Sequence, residues 1–367
     1  MKAPRYTALV ASLPSTVPFV GPETQERARG KKFSARLGAN ENVFGPSPKA
    51  IEAMQAAIPD VWMYGDPENH DLKRALAVFH GVRPENIVVG AGIDGLLGSL
   101  CRMLVTDGTA VVTSFGAYPT FNFHVAGYGG VLETVPYAGD FEDPQALLTK
   151  AREVDASLMY FANPDNPMGT SHDAATVQDM IDNVPEGTVL CLDEAYLEFA
   201  PEGTAPQFDV SNPNVIRMRT FSKAYGMAGA RVGYAIGEAS LINSFNKVRN
   251  HFGMNRASQA GALAALEDQA YLARTVADVT AGKERIGDIV RRYGLKPIES
   301  ATNFVTIDCG RDGDYARSLV AALIEQNIFV RMPFVAPQDR CIRVSAGRPQ
   351  DIDLFEQALP LALETLK

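Results

Sequence analysis

The chain has 367 residues, of which 46% are hydrophobic and 21% charged, with a net charge of -9 at neutral pH. That much apolar material exceeds one hydrophobic core, since single cores stop growing near ~250–300 residues. The acidic balance and the absence of a dense Lys/Arg run exclude a nucleic-acid-binding face, and no stretch approaches the ~18 apolar residues of a membrane span.

Residues 1–36 read as an irregular arm rich in Pro and polar side chains. Its apolar run TALVASL is short and stops at Pro14, which argues against a signal peptide. From Ser47, SPKAIEAMQAAI opens with a capping Ser and keeps helical spacing. Short β-rich runs follow at Asn86–Gly90, Thr109–Thr113, Leu132–Pro136, Leu158–Ala162 and Val189–Leu192. Helical patterns lie between most of them, at Asp94–Val105, Pro144–Val154 and Ala174–Asn183. Such alternation predicts crossover units and a mostly parallel sheet covered on both faces. Residues 238–295 are helix-rich. Asn303–Asp308 and Cys341–Ser345 then read as strands around a helix over Asp314–Asn327. The expected organisation is an arm over 1–36, a large α/β domain over 37–240, a helical connection over 241–295 and a smaller α+β domain over 296–367, which packs with the arm. Cys101, Cys191, Cys309 and Cys341 form no CxxC pair. They read as buried reduced thiols of a cytosolic protein, with no metal site.

In such sheets ligands sit at the carboxyl ends of strands, and the polar motifs fall there. GAGIDG (Gly90–Gly95) is a Gly-rich strand-to-helix turn whose free amides suit a phosphate. NPDNPMG (Asn163–Gly169) is a turn on any reading. In LDEAYLEF (Leu192–Phe199), Asp193 ends a buried strand and is costly there unless paired. In TFSKAYGMAGARVGY (Thr220–Tyr234), Lys223 sits among small residues that let backbone approach a bulky ligand. A Schiff-base lysine needs a lowered pKa, which burial and a neighbouring cation give. Ser222 and Arg231 both suit a phosphate. Arg343 in CIRVSAG and Arg331 in FVRMP lie in or beside strands, where an inward-pointing Arg needs an anion.

The Thr220–Tyr234 segment resembles fold-type I enzymes that use pyridoxal 5′-phosphate (PLP), within the class I/II aminotransferases and closest to their histidinol-phosphate aminotransferase branch. SKAYGMAGARVGY, DEAY and NPDNPMG carry the likeness, which runs from about residue 15 to the C-terminus. The resemblance implies the three-layer PLP-transferase fold, an α/β architecture with a large domain and a small α+β one. It implies an aminotransferase acting between an amino donor and a 2-oxo acid such as 2-oxoglutarate, with Lys223 as Schiff-base lysine and proton carrier. Asp193 is implied to pair with the pyridine nitrogen, Tyr196 and Asn166 to reach the ring oxygen, and Tyr118 to stack on the ring, ahead of Phe121. The amides of Ile93 and Asp94, with Ser222 and Arg231, are implied at the phosphate. Tyr64 is implied to reach the cofactor of a second subunit in a homodimer with shared sites. Arg343, Arg331 and Asn40 are implied on the substrate side. Phe19 stands where that branch has a substrate-contacting Tyr and offers no hydroxyl, so the donor is left open between histidinol phosphate and an aromatic or other amino acid. Further departures are Met168 for Thr, Gly95 for Glu, Gly65 for Pro and Val43 for Pro. The alternatives are a threonine-phosphate-type decarboxylase with the same cofactor and a non-catalytic PLP-binding protein.

Overall fold

The computed structural model describes residues 4–15 and 20–367. Seven strands form the central sheet: β1 (Ile87–Gly90), β2 (Ala110–Ser114), β3 (Val131–Val135), β4 (Leu158–Ala162), β5 (Val189–Asp193), β6 (Val215–Thr220) and β7 (Gly233–Gly237). Their spatial order is β1-β7-β6-β5-β4-β2-β3. All run parallel except β7, which is antiparallel to both its neighbours.

The strands are nearly continuous apolar runs because both faces are covered. In β4, Leu158, Tyr160 and Ala162 enter one core, and Met159 and Phe161 the other. Val189 and Cys191 of β5 share the first face, which puts Asp193, two residues on, on that face as well. All four cysteines are free and buried. Among the described residues, no helix is long and apolar enough to cross a membrane.

A second core lies around a three-stranded antiparallel sheet of β8 (Lys296–Pro297), β9 (Phe304–Asp308) and β10 (Cys341–Ser345). The long helix Gln269–Arg292 delivers Ile286, Ile289 and Val290 to it, and the helices Gly313–Glu325 and Pro349–Glu364 close it. Two residues of the N-terminal segment, Ala35 and Arg36, pair in parallel with Ile328 and Phe329, and Leu37 enters this core.

One expectation is corrected. The arm is not irregular throughout, since it contains helices at Ala8–Ser12 and Pro22–Arg29. The second begins with Pro22, whose missing N–H is not needed there, and ends on Gly30 in the left-handed region. PETQERAR carries no apolar stripe, so periodicity is silent and only the Pro and Gly mark its ends.

Candidate active site

The carboxyl ends of β1, β2, β4, β5 and β6 face one cavity of about 690 Å³. β7 runs the other way, so its start lies at this same edge. That reversal is what brings Arg231, two residues before β7, beside the turn that follows β1. Among the described residues, all the expected site residues line the cavity except Tyr64. Tyr64 is 77% exposed and packs against Phe252, with ring centroids 4.6 Å apart. Phe19 lies outside the described residues. Tyr118 lines the cavity, whereas Phe121 is fully buried and stacks on Tyr160.

Asp193 ends β5 and is 6% exposed. Its Oδ2 accepts from Tyr160 OH at 2.7 Å and its Oδ1 from the Ala195 amide at 2.9 Å. Lys223 Nζ donates to the Asn40 carbonyl at 3.3 Å and sits 5.3 Å from the Tyr196 ring centroid. Tyr196 OH accepts from Asn40 Nδ2 at 2.9 Å. Asn166 Oδ1 accepts from Arg343 Nη1 at 2.5 Å, and Arg343 Nε is buried with no partner. Arg331 joins Arg343 through a backbone bridge, and its guanidinium lies 5.1 Å from the Phe334 ring centroid.

Burial dominates the electrostatics. It pushes the Lys223 amine down to about 8, helped by Arg343 and Arg231 and opposed by Asp193. It raises the Asp193 carboxyl, opposed by Tyr160, the Ala195 amide and Lys223. The Tyr196 and Tyr118 hydroxyls are pushed up to about 12 by the same desolvation. Arg331 is held down to about 10 by burial and by Arg343.

These residues fit the cofactor expected from the sequence. They offer an amine to an aldehyde, an anion to a ring nitrogen, and a guanidinium beside free helix amides to a phosphate. The helix Gly92–Leu104 starts beside Arg231, and a Cβ on Gly92 would lie 2.4 Å from Arg231 Nη2. Gly92 adopts φ +76°, a conformation that favours glycine.

The family model for class I and II aminotransferases matches residues 35–359. This chain belongs to that family. The aminotransferase is 50% identical to a histidinol-phosphate aminotransferase from Sinorhizobium meliloti, solved in complex with pyridoxal 5′-phosphate. That likeness has a TM-score of 0.97 and covers 100% of this chain and 99% of the other. A histidinol-phosphate aminotransferase from Moorella thermoacetica is 31% identical over 360 residues, 97% of this chain and 92% of the relative. An aspartate aminotransferase from Thermus thermophilus shares the fold, with a TM-score of 0.79 at 21% identity over 99% of each chain. The expected three-layer PLP-transferase fold is therefore the fold of this aminotransferase.

Several neighbours of the site went unread in the sequence. Tyr160 sits in an apolar run and reads as core. His124 Nε2 bonds Asp94 Oδ1 at 2.8 Å from the adjoining helix. Asn303 Nδ2 donates to the Asn40 carbonyl at 3.0 Å. Glu194 is buried and Glu198 half-buried. Glu194 bridges Arg217 and Arg219.

Proposed function

We propose that this aminotransferase moves the amino group of histidinol phosphate to 2-oxoglutarate, with Lys223 carrying the proton. The observation behind the reading is that Lys223 Nζ and the Asp193 carboxylate face one cavity whose other wall holds Arg343 and Arg331. Pyridoxal 5′-phosphate is the cofactor, and when bound it supplies the electron sink for a carbanion at the substrate α-carbon.

Lys223 would hold its aldehyde and Asp193 its ring nitrogen, with Tyr118 against the ring. Asn166 Oδ1 is taken by Arg343, which leaves Nδ2 to donate to the ring oxygen. Tyr196 OH accepts from Asn40, which leaves its own proton for the same oxygen. The Ile93 and Asp94 amides, Ser222 and Arg231 would hold the phosphate. Once released, the Lys223 amine takes the α-proton and returns it one carbon away. Arg343 and Arg331 together suit a substrate with two anionic groups, or one phosphate.

A panel of amino donors with 2-oxoglutarate tests this. Histidinol phosphate should exceed phenylalanine and aspartate in kcat/KM by at least about tenfold, and glutamate should form in equal amounts with the keto product. Release of CO2 without glutamate would defeat the proposal.

The amine must be neutral to accept a proton. With its value near 8, kcat should fall as pH drops below about 8 and level off above it. A rate independent of pH through that range would remove Lys223 as the base.

Tyr64 and Phe252 pack ring to ring on the surface, and Trp62, two residues before Tyr64, is 79% exposed; exposed apolar side chains of this kind mark interfaces. We assign them to a homodimer in which Tyr64 reaches the partner's cofactor phosphate. Sedimentation should give a dimer, and Tyr64→Phe should weaken PLP binding about tenfold through one charge-assisted hydrogen bond. A monomer, or unchanged PLP affinity, would refute it.

A further inference from the structure

Behind the cavity lies a pair of acids that the reaction above does not use. Glu142 and Asp165 are 1% and 2% exposed. Glu142 precedes the helix Pro144–Glu153, and Asp165 belongs to the 163–169 turn, next to Asn166. Glu142 Oε2 bonds Ser114 Oγ at 2.6 Å, and its Oε1 accepts from the Ala162 amide at 3.0 Å. Asp165 Oδ1 accepts from Tyr137 OH at 3.0 Å and Oδ2 from the Met168 amide at 2.9 Å. The two carboxyls are in hydrogen-bond contact with each other. Arg343 acts on Asp165 from across the Asn166 side chain. The remaining titratable neighbours are Tyr160, Tyr196 and His172, whose Nε2 bonds the Glu142 carbonyl at 2.8 Å.

Two like charges buried in contact do not both persist. Arg343 attracts charge onto Asp165, and both its oxygens already face donors. The Ser114 hydroxyl beside Glu142 donates or accepts equally well, so it tolerates a protonated partner. Burial raises both carboxyls, Asp165 to about 7 against the pull of its donors and Arg343, and Glu142 well above the usual carboxylate range with the Asp165 charge adding to it.

We propose that Glu142 and Asp165 share one proton, Glu142 neutral and Asp165 anionic, and that this dyad holds the Asn166 turn against Arg343. Both are positioning residues. The positioning role rests on reading Arg343 as the substrate-anion site, whereas the charge state does not, so the two fail separately.

Infrared spectra of the holoenzyme test the charge state. They are recorded at alkaline pH, where Glu198, pushed up to about 7 by burial, is ionised. A protonated-carboxyl band should shift when glutamate is isotope-labelled at its carboxyl carbon, and should vanish in Glu142→Gln. The labelled parent needs no variant to fold. No glutamate-shifted band, or one that survives Glu142→Gln, overturns the proposal. Kinetics test the positioning. Gln at 142 keeps a neutral donor and acceptor, so KM for the amino donor stays within about threefold. Asp165→Asn sets an amide group against the Met168 N–H and removes the charge facing Arg343. It should raise KM at least about tenfold, with a smaller change in kcat. Equal KM in the two variants rejects the positioning role.

Discussion

Replacing Lys223 by Ala should lower kcat by at least about 10⁴-fold, the upper range for a positioned acid–base group. Nothing nearby takes over the proton. Tyr196 is pushed up to about 12 and stays protonated at working pH. Asp193 would be held at the ring nitrogen, away from the substrate α-carbon. The variant also loses the covalent tether, so PLP should separate from the protein on gel filtration while the parent keeps it. A small primary amine added to the variant should restore part of the rate, because the cavity space left by the side chain admits it. A variant retaining more than about a hundredth of the parent kcat would show that the proton moves through another group.

Asp193→Asn should cost about 10²–10³ in kcat, the range for removing one preorganised charge from a buried site. Asn is close in size, so the cavity keeps its shape and charge is what changes. The Ala195 N–H and the Tyr160 hydroxyl both aim protons at the carboxylate. An amide satisfies one of them with its oxygen and turns its NH₂ toward the other. Tyr160→Phe leaves the charge in place and removes one hydrogen bond, so its loss should be about tenfold. If the two variants proved equal in kcat, the negative charge on Asp193 would not be what the site uses.

Much of the fold was legible because its signals are local. β4 occupies the predicted residues Leu158–Ala162, and β5 runs one residue beyond its predicted end, to Asp193. Most motif residues of the site were legible because they stand where a strand stops, although Arg343 lies within β10 and Arg231 just before β7. What escaped was anything made by neighbours distant in the chain. Tyr160 meets Asp193 across 33 residues because parallel β4 and β5 lie side by side on one face. Glu142 sits in GDFEDP, which reads as a polar surface loop until the 163–169 turn is folded over it. The Arg331–Arg343 bridge depends on the chain returning after the 313–325 helix.

The single reversed strand has a mechanical consequence. The two halves of the anion clamp, the turn after β1 and the guanidinium before β7, belong to strands that are hydrogen-bonded neighbours at the end of the sheet. A doubly charged phosphate held by both, as proposed, would act as a clasp across that outermost pair, where local opening begins. Loss of the cofactor should then loosen this margin of the sheet.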